Sequence, residues 1–520
     1  MDIRLIRENA DEARRLLAMR RSGIDIERII ALDADRRRLS KERDDARHRQ
    51  RQVSEAVGQA KKEKRECAAE VAEAREISEQ VKQLDTEVAR IEAEQAELAR
   101  QLPNVVHASV TAEEETVAYW GEPRKFEFKP LAHWDLGEAL GVIDLEAAAR
   151  LAGSRFVVFK GQGALLERAL INYFLDTNTR RHGYTEIAPP VMANAATLEA
   201  TGQLPHLESD MYKTQDDLYL VPTAEPQLVN YHRGQTLNES QLPLKYVAYT
   251  ACFRREAGSY GKDVRGMIRI HQFDKVELVR IVHPEQTYVA LEEMRAEAES
   301  LLRDLGLPYR VKRLASWDMA HQSAKTYDLE AWAAGQDRWL EVSSISACED
   351  YQTRRGGIRV KGRDGKTFYP HALNGSALAL PRVFVAILEN YQQADGTVVM
   401  PEVLRPYMHG LERISLNRYP SGRSCRRRYV FVERPFDRTI SGSSANSLIT
   451  CRHAPHGGVS VAVPVYISTA LILRSPANTA LNIAIRSAQT VRPYELFSTL
   501  PPEKMRPLAV RTAAPTLNCE

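Results

Sequence analysis

The chain has 520 residues, 43% of them apolar and 27% charged, with a net charge of +3. That fits a soluble globular protein of two or three domains. No run of about 18 apolar residues occurs, which excludes a helical membrane span, and the N-terminus MDIRLIRENADEARR lacks the apolar segment of a secretory signal. Six cysteines include no CxxC pair, so free thiols in a reducing cytoplasm are expected. The charge is uneven: from Leu411 to Glu520, 14 arginines and one lysine stand against six acidic residues, which leaves residues 1–410 net negative. Nucleic-acid contact by the main body must therefore use local basic patches.

Residues 1–23 read as a short helix and a turn at Gly23. From Ile24 to Leu102 there is no proline and one glycine, Gly58, and the segment is dense in strong helix formers. Its sparse apolar residues (Val81, Leu84, Val88, Ile91, Leu98, Leu102) recur at spacings of three and four, the narrow seam of a coiled coil. One continuous helix would reach about 120 Å. An antiparallel hairpin over about 26–102, turning near 62–70, buries the seam against itself. Its first half is basic between Arg36 and Arg65 and its second is acidic or mixed. Two readings stay open: a solvated dimerisation arm, or a lever whose basic edge grips a nucleic-acid backbone.

Leu102-Pro103-Asn104 stops the hairpin and closes a first domain at residue 104. Residues 105–135 read as a linker punctuated by Trp120-Gly121-Glu122-Pro123, within a 105–160 stretch that leads into the next domain. Leu165–Thr179 is an amphipathic helix, and His182–Pro190 reads as turn, strand and stop. From 161 to 408, β-rich runs alternate with helices such as Glu285–Leu305, which predicts an α+β domain around an antiparallel sheet.

Within it, Tyr249–Glu277 reads as two strands flanking a charged connector. Strand parity puts Arg254 and Glu256 on one face of the first arm, and Arg269, His271, Phe273, Lys275 and Glu277 on one face of the second, with Ile268, Ile270 and Val276 opposite. By itself this is equally a sheet with a solvated face. Three other stretches also carry polar groups among apolar ones: Val221-Pro222-Thr223-Ala224-Glu225, Glu341-Val342-Ser343-Ser344, and Asn374–Arg382. The last reads as a loop entering a buried helix. A cation at a helix start opposes the helix dipole, so Arg382 is expected to face a site. Together these groups suit a nucleotide and a small amphoteric ligand: arginine forks for phosphate, an aromatic and an arginine for a base, a carboxylate with a serine for a metal-bound triphosphate, and further carboxylates for an ammonium. No P-loop and no GxGxxG after a strand occurs.

In order and wording these blocks resemble seryl-tRNA synthetase, a class II aminoacyl-tRNA synthetase. The resemblance covers about residues 1–408 through Trp120-Gly121-Glu122, Thr201-Gly202-Gln203-Leu204-Pro205, Pro222-Thr223-Ala224-Glu225, Phe253-Arg254-Arg255-Glu256-Ala257-Gly258, His271-Gln272-Phe273, Lys275-Val276-Glu277, Glu341-Val342-Ser343-Ser344 and Leu388-Glu389-Asn390-Tyr391-Gln392. It implies motif 1 at 183–192, motif 2 at 249–277 and motif 3 at 375–392. It further implies activation of L-serine by ATP with Mg²⁺ and transfer of the seryl group to tRNA(Ser), and to tRNA(Sec) as well, by a cytoplasmic homodimer. By resemblance, Arg254 and Arg382 are the catalytic residues. Arg254, Arg255, Glu256, Arg269, Phe273, Glu341, Val342, Ser343, Ser344 and Arg382 surround ATP, with Phe273 and Arg382 sandwiching the adenine and Glu341 and Ser344 holding the metal. Thr223, Ala224, Glu225, Arg254, Glu277, Asn374 and Ser376 surround serine. The hairpin is then the tRNA arm, and the connector, with Lys262 and Arg265, meets the acceptor end. His271 receives no catalytic role, because the serine carboxylate is already ionised near neutral pH.

Motif 3 departs from the family's pattern at Ala377 and Pro381, where glycine is common, and proline is tolerated at a helix start. Arg255 stands where a small residue is common and is expected to point away from Arg254. The larger departure is the extension 409–520, Arg- and Ser-rich with a single lysine, Lys504. Three readings apply: an RNA-binding appendage, a metal site from Cys425, Cys451, His453 and His456, or a non-native tail produced by a shifted frame or read-through. The abrupt change in residue usage favours the third, with an irregular or disordered tail. Two other functions compete with the family's own: a catalytically silent RNA-binding paralogue, and a ligase that loads an amino acid onto a carrier protein.

Overall fold

The computed structural model describes residues 3–257 and 265–415. The N-terminal segment forms two helices, α1 (Ile3–Glu8) and α2 (Ala10–Met19), rather than the single one expected. Asn9 separates them: its side chain accepts the Glu12 N–H and caps α2. Asp25 caps α3 (Ile26–Lys62) in the same way through Arg28 N–H. The chain turns after Lys62 and returns as α4 (Ala68–Arg100). Leu32 and Leu39 of α3 pack on Val88 and Ile91 of α4, and Ala46 packs on Ile77 and Val81. This is the expected coiled-coil seam. At the foot of the hairpin, residues of α1, α2 and α3 join Leu102, Val106 and Val110 in one core with Leu314 and Met319.

The second layer is built on an eight-stranded sheet: β1 (Glu115–Trp120), β2 (Thr185–Glu186), β3 (Leu244–Phe253), β4 (Gln272–Val282), β5 (Tyr309–Arg313), β6 (Lys325–Ala333), β7 (Arg338–Glu349) and β8 (His371–Ala379). The spatial order is β1-β5-β6-β7-β8-β4-β3-β2. Every pair is antiparallel except β2 with β3. The helices α5 (His133–Ala139), α6 (Gln162–Arg180), α7 (Thr287–Asp304) and α8 (Leu380–Tyr391) contribute to one continuous core with Val276, Leu278, Ile345 and Leu373 of the sheet. Because strand side chains alternate, Lys275 and Glu277 leave β4 on the side opposite Val276 and Leu278. The site is thereby set against the sheet face that this core does not use.

Four expectations are corrected. Residues 115–120 are the edge strand β1, paired with β5, so the linker reading of 105–135 fails there. The alternation of Thr116 and Ala118 with exposed residues was too short to register as a strand. The first arm of the Tyr249–Glu277 stretch ends at Phe253 and the second begins at Gln272. Arg254, Glu256, Arg269 and His271 are therefore loop residues, and Glu256 has φ +51°. Asn374–Ala379 is strand β8 rather than loop, and it runs straight into α8 with Pro381 in the first turn. Finally, the folded body passes residue 408: Arg413–Ile414 pairs with Val398–Val399, and Ile414 is buried. Residues 416–520, including the cysteines and histidines of the metal reading, lie outside the described residues.

Candidate active site

Bulges in the ladder sit where the sequence placed functional groups. The register of β7 against β6 shifts between Glu341 and Ser343, and that of β8 against β4 shifts between Ser376 and Ala379. Such insertions re-aim side chains beside active sites. Above them opens a cavity of about 320 Å³.

One end is cationic and aromatic. Arg254 leaves the end of β3, and its guanidinium lies over the Phe273 ring, 5.2 Å from the centroid. His271 fixes the backbone of Arg254 twice: its carbonyl accepts the Arg254 N–H at 2.9 Å, and its Nδ1 lies 3.1 Å from the Arg254 carbonyl. These two bonds hold the Arg254 backbone from a loop position, not from a strand. Arg269 pairs with Glu256 at 3.1 Å. Arg382, in the first turn of α8, donates to the Glu341 carbonyl at 2.8 Å and lies 3.3 Å from the Glu341 carboxylate. Phe273 and Arg382 thus line one cavity, although the cation over the ring is Arg254.

The other end is a buried set of carboxylates and amides. Glu225 Oε1 accepts from Gln352 Nε2 at 2.6 Å, Asn374 Nδ2 at 2.9 Å and Gln322 Nε2 at 3.3 Å, while Oε2 accepts from Gln203 Nε2 at 3.2 Å. Burial, with the nearby Glu277 carboxylate adding to it, pushes the Glu225 carboxyl up to about 7 against the pull of these donors. Glu277 Oε2 pairs with Lys275 Nζ at 2.6 Å and accepts from Ser376 Oγ at 3.3 Å. The Thr223 hydroxyl accepts the Glu225 N–H at 3.2 Å. A buried set of opposed carboxylates and amide donors suits an ammonium and a hydroxyl, and it leaves polar groups unpaired if either is missing.

Of the residues expected around the two substrates, all but two line this cavity. Arg255 is exposed, and its backbone N–H donates to the Asp210 carbonyl, so its side chain is not brought to the cavity. Ala224 is buried in a separate core with Leu228 and Tyr246. Ser343 lines the cavity but turns its hydroxyl to the Ser376 carbonyl at 2.6 Å, which ties the two bulged strands together. Lys262 of the connector lies outside the described residues. Four cavity or near-cavity groups went unassigned in the sequence. Lys275 was legible as a neighbour of Phe273 and Glu277 on one strand face. Gln203 sits inside a quoted motif. Gln322 and Gln352 carry no local pattern, because only the tertiary fold turns their amides toward Glu225.

Comparisons with known proteins agree with this geometry. Residues 1–106 match the seryl-tRNA synthetase N-terminal domain, and residues 208–391 match the tRNA synthetase class II core domain (G, H, P, S and T). A serine–tRNA ligase of Nitratidesulfovibrio vulgaris is 49% identical over 422 residues, covering 80% of this chain and 100% of that protein. One from Geobacter sulfurreducens is 47% identical over 421 residues, with the same coverage. The chain belongs to the seryl-tRNA synthetase family. It has that family's activity class, an aminoacyl-tRNA ligase specific for serine. Among solved structures, the seryl-tRNA synthetase of Pyrococcus horikoshii complexed with ATP superposes with a TM-score of 0.76 at 36% identity, covering 80% of this chain and 99% of that one. The cytoplasmic serine–tRNA ligase of Naegleria fowleri in complex with AMP gives 0.72 at 29% identity, with the same coverage. No helix among the described residues is long and apolar enough to cross a membrane.

Proposed function

We propose that the cavity condenses L-serine with ATP to seryl-adenylate and pyrophosphate, then passes the seryl group to the terminal hydroxyl of tRNA(Ser), and of tRNA(Sec) where that tRNA is present. The observation that carries this reading is the division of one cavity: Arg254, Phe273 and Arg382 at one end, and Glu225, Glu277 and Ser376 at the other. The relatives from P. horikoshii and N. fowleri hold ATP and AMP, in keeping with a nucleotide at the first end.

The serine ammonium sits between Glu225 and Glu277, and its hydroxyl meets Ser376 and Thr223. Its carboxylate, already ionised, points at the α-phosphate, so the first step needs no general base. Arg254, with no carboxylate partner among the described residues, balances the charge that grows on the α-phosphate as the bond to pyrophosphate breaks. Phe273 and Arg382 hold the base from two sides. The described residues contain no cluster of three or more metal-type side chains. Mg²⁺ prefers carboxylate, hydroxyl and phosphate oxygens, which a carboxylate beside a serine would supply in part. Glu341 and Ser344 would hold it. The half-buried Asp328, opposite Ser344 on the paired strand, keeps an oxygen with no hydrogen-bond partner, and its carboxyl is raised by desolvation and by Glu341. Bound there, Mg²⁺ would neutralise phosphate charge.

We also propose that α3 and α4 contact tRNA by backbone and shape, and that the chain works as a cytoplasmic homodimer through 183–192. In that segment Thr185 and Glu186 form an exposed sheet edge, and Val191 and Met192 are exposed. Serine-dependent ATP–pyrophosphate exchange, followed by charging of tRNA(Ser), tests the whole. Both activities are expected. Exchange without charging would favour a carrier-protein ligase, and no exchange with serine would favour a silent paralogue.

A further inference from the structure

The return limb of motif 2, Gly266 to Arg269, has no strand to hold it, since β4 starts at Gln272. It nevertheless forms a wall of the cavity through Met267, Ile268 and Arg269. Two of the bonds that hold it lead back to α8. Arg382 Nε lies 3.4 Å from the Ile268 carbonyl. Glu389, two turns further along α8, acts through His133, at the start of α5.

The His133 ring is fully buried. Its Nε2 accepts the Met267 N–H at 3.0 Å. A backbone N–H can only donate, so the ring proton must be on Nδ1, which lies 2.8 Å from Glu389 Oε1. Glu389 is held in turn by the His133 N–H and Gln336 Nε2 on Oε1, at 2.9 and 2.8 Å, and by the Gly335 N–H on Oε2 at 2.9 Å. The limb lies so close to the ring that a Cβ at Gly266, which has φ +79°, would overlap His133 Nε2. Beside it, Arg265 pairs with Asp135 at 2.6 Å and lies over the Trp134 ring, 4.9 Å from its centroid.

We infer that His133 is a positioning residue for the nucleotide end of the cavity: oriented by Glu389, its Nε2 clasps the Met267 N–H and sets the motif 2 limb, and with it Arg269 and Glu256, at the distance ATP requires. The serine end is built from β4, β8 and Glu225, and no hydrogen bond shown among the described residues joins His133, Met267 or Glu389 to Glu225, Glu277 or Ser376, so the effect is expected to fall on ATP. The inference rests on the proposed ATP and serine ends of the cavity.

The test is ATP–pyrophosphate exchange by the full chain, with each substrate varied in turn. His133→Phe keeps the ring but removes the acceptor. It is expected to raise KM for ATP about tenfold or more, as for loss of a bond to a buried donor, and to leave KM for serine within about twofold. His133→Gln, whose amide oxygen can reach the Met267 N–H, is expected to recover most of that loss. Gly266→Ala attacks the same contact from the limb and should reproduce the ATP effect, so it carries the test if His133→Phe does not fold. An unchanged KM for ATP in Gly266→Ala, or equal rises in both KM values, would overturn the inference. Absence of serine-dependent exchange in the unmodified chain would instead overturn the proposed function.

Discussion

The hairpin and the cavity are both dense in charge, and they use it oppositely. Along the hairpin the charges are exposed and paired across the helices: Arg47 with Asp85 at 2.8 Å and Arg49 with Glu73 at 2.6 Å, with Arg28 beside Glu94. Exposed pairs of this kind contribute about 0–1 kcal/mol each and are screened by salt. The basic row expected on α3 is therefore partly neutralised by α4, and the arm's shape survives the loss of any one pair. In the cavity, Glu225, Glu277 and Lys275 are all less than 10% exposed. There a lost partner leaves an uncompensated polar group in a buried site. One region tolerates substitution and the other does not.

The largest expected effect separates the two regions outright. Deleting residues 30–100 should abolish charging of tRNA(Ser) while leaving serine-dependent ATP–pyrophosphate exchange within about threefold of the full chain, because no hairpin residue lines the cavity. Retained charging would make the arm purely structural. Next, Arg254→Ala should lower kcat for exchange by about 10²–10³, the usual loss when a donor to developing charge is removed. A loss confined to KM would place Arg254 in ground-state binding only.

The pH response should be smaller and confined to the serine end. The Glu225 carboxyl stands at about 7 rather than at its ordinary value of 4.5, so the folded chain holds this proton more tightly than the unfolded chain does. Its contribution to stability is present below pH 4.5 and is lost as pH rises through about 7. Serine binding has the opposite sign, because the ammonium needs the ionised form. KM for serine should rise as pH falls below about 7, approaching tenfold per unit, and Glu225→Gln should flatten this profile. A flat profile in the unmodified chain would place the ammonium elsewhere. Smallest of all, Arg47→Ala should change thermal unfolding by less than about 1 kcal/mol and leave exchange untouched. A larger loss would mean that the hairpin depends on its ion pairs rather than on its seam.

The same division explains what was legible in the sequence. The hairpin was readable to within a few residues, because helix propensity and a three–four seam are local signals. Phe273, Lys275 and Glu277 were readable as one face, because strand parity is also local. Arg269 was placed with them, and Glu256 with Arg254 on the first arm, by a parity that does not apply, since neither lies on a strand. They meet only because the limb folds back. Gln322 and Gln352 reach Glu225 across 97 and 127 residues of chain, and His133 reaches Glu389 across 256. No window of sequence contains such a pair. Strand β1 was missed because its edge position leaves it mostly exposed, so that only Thr116 and Ala118 alternate with exposed residues.

The central claim is that Glu277 forms the serine end of the cavity. It is tested most directly by serine-dependent ATP–pyrophosphate exchange on the full chain beside Glu277→Ala. The account predicts robust exchange in the first and a fall of at least about 10³ in kcat/KM for serine in the second, the size expected when a buried charged partner is removed from its ligand. Near-normal exchange by Glu277→Ala would contradict it.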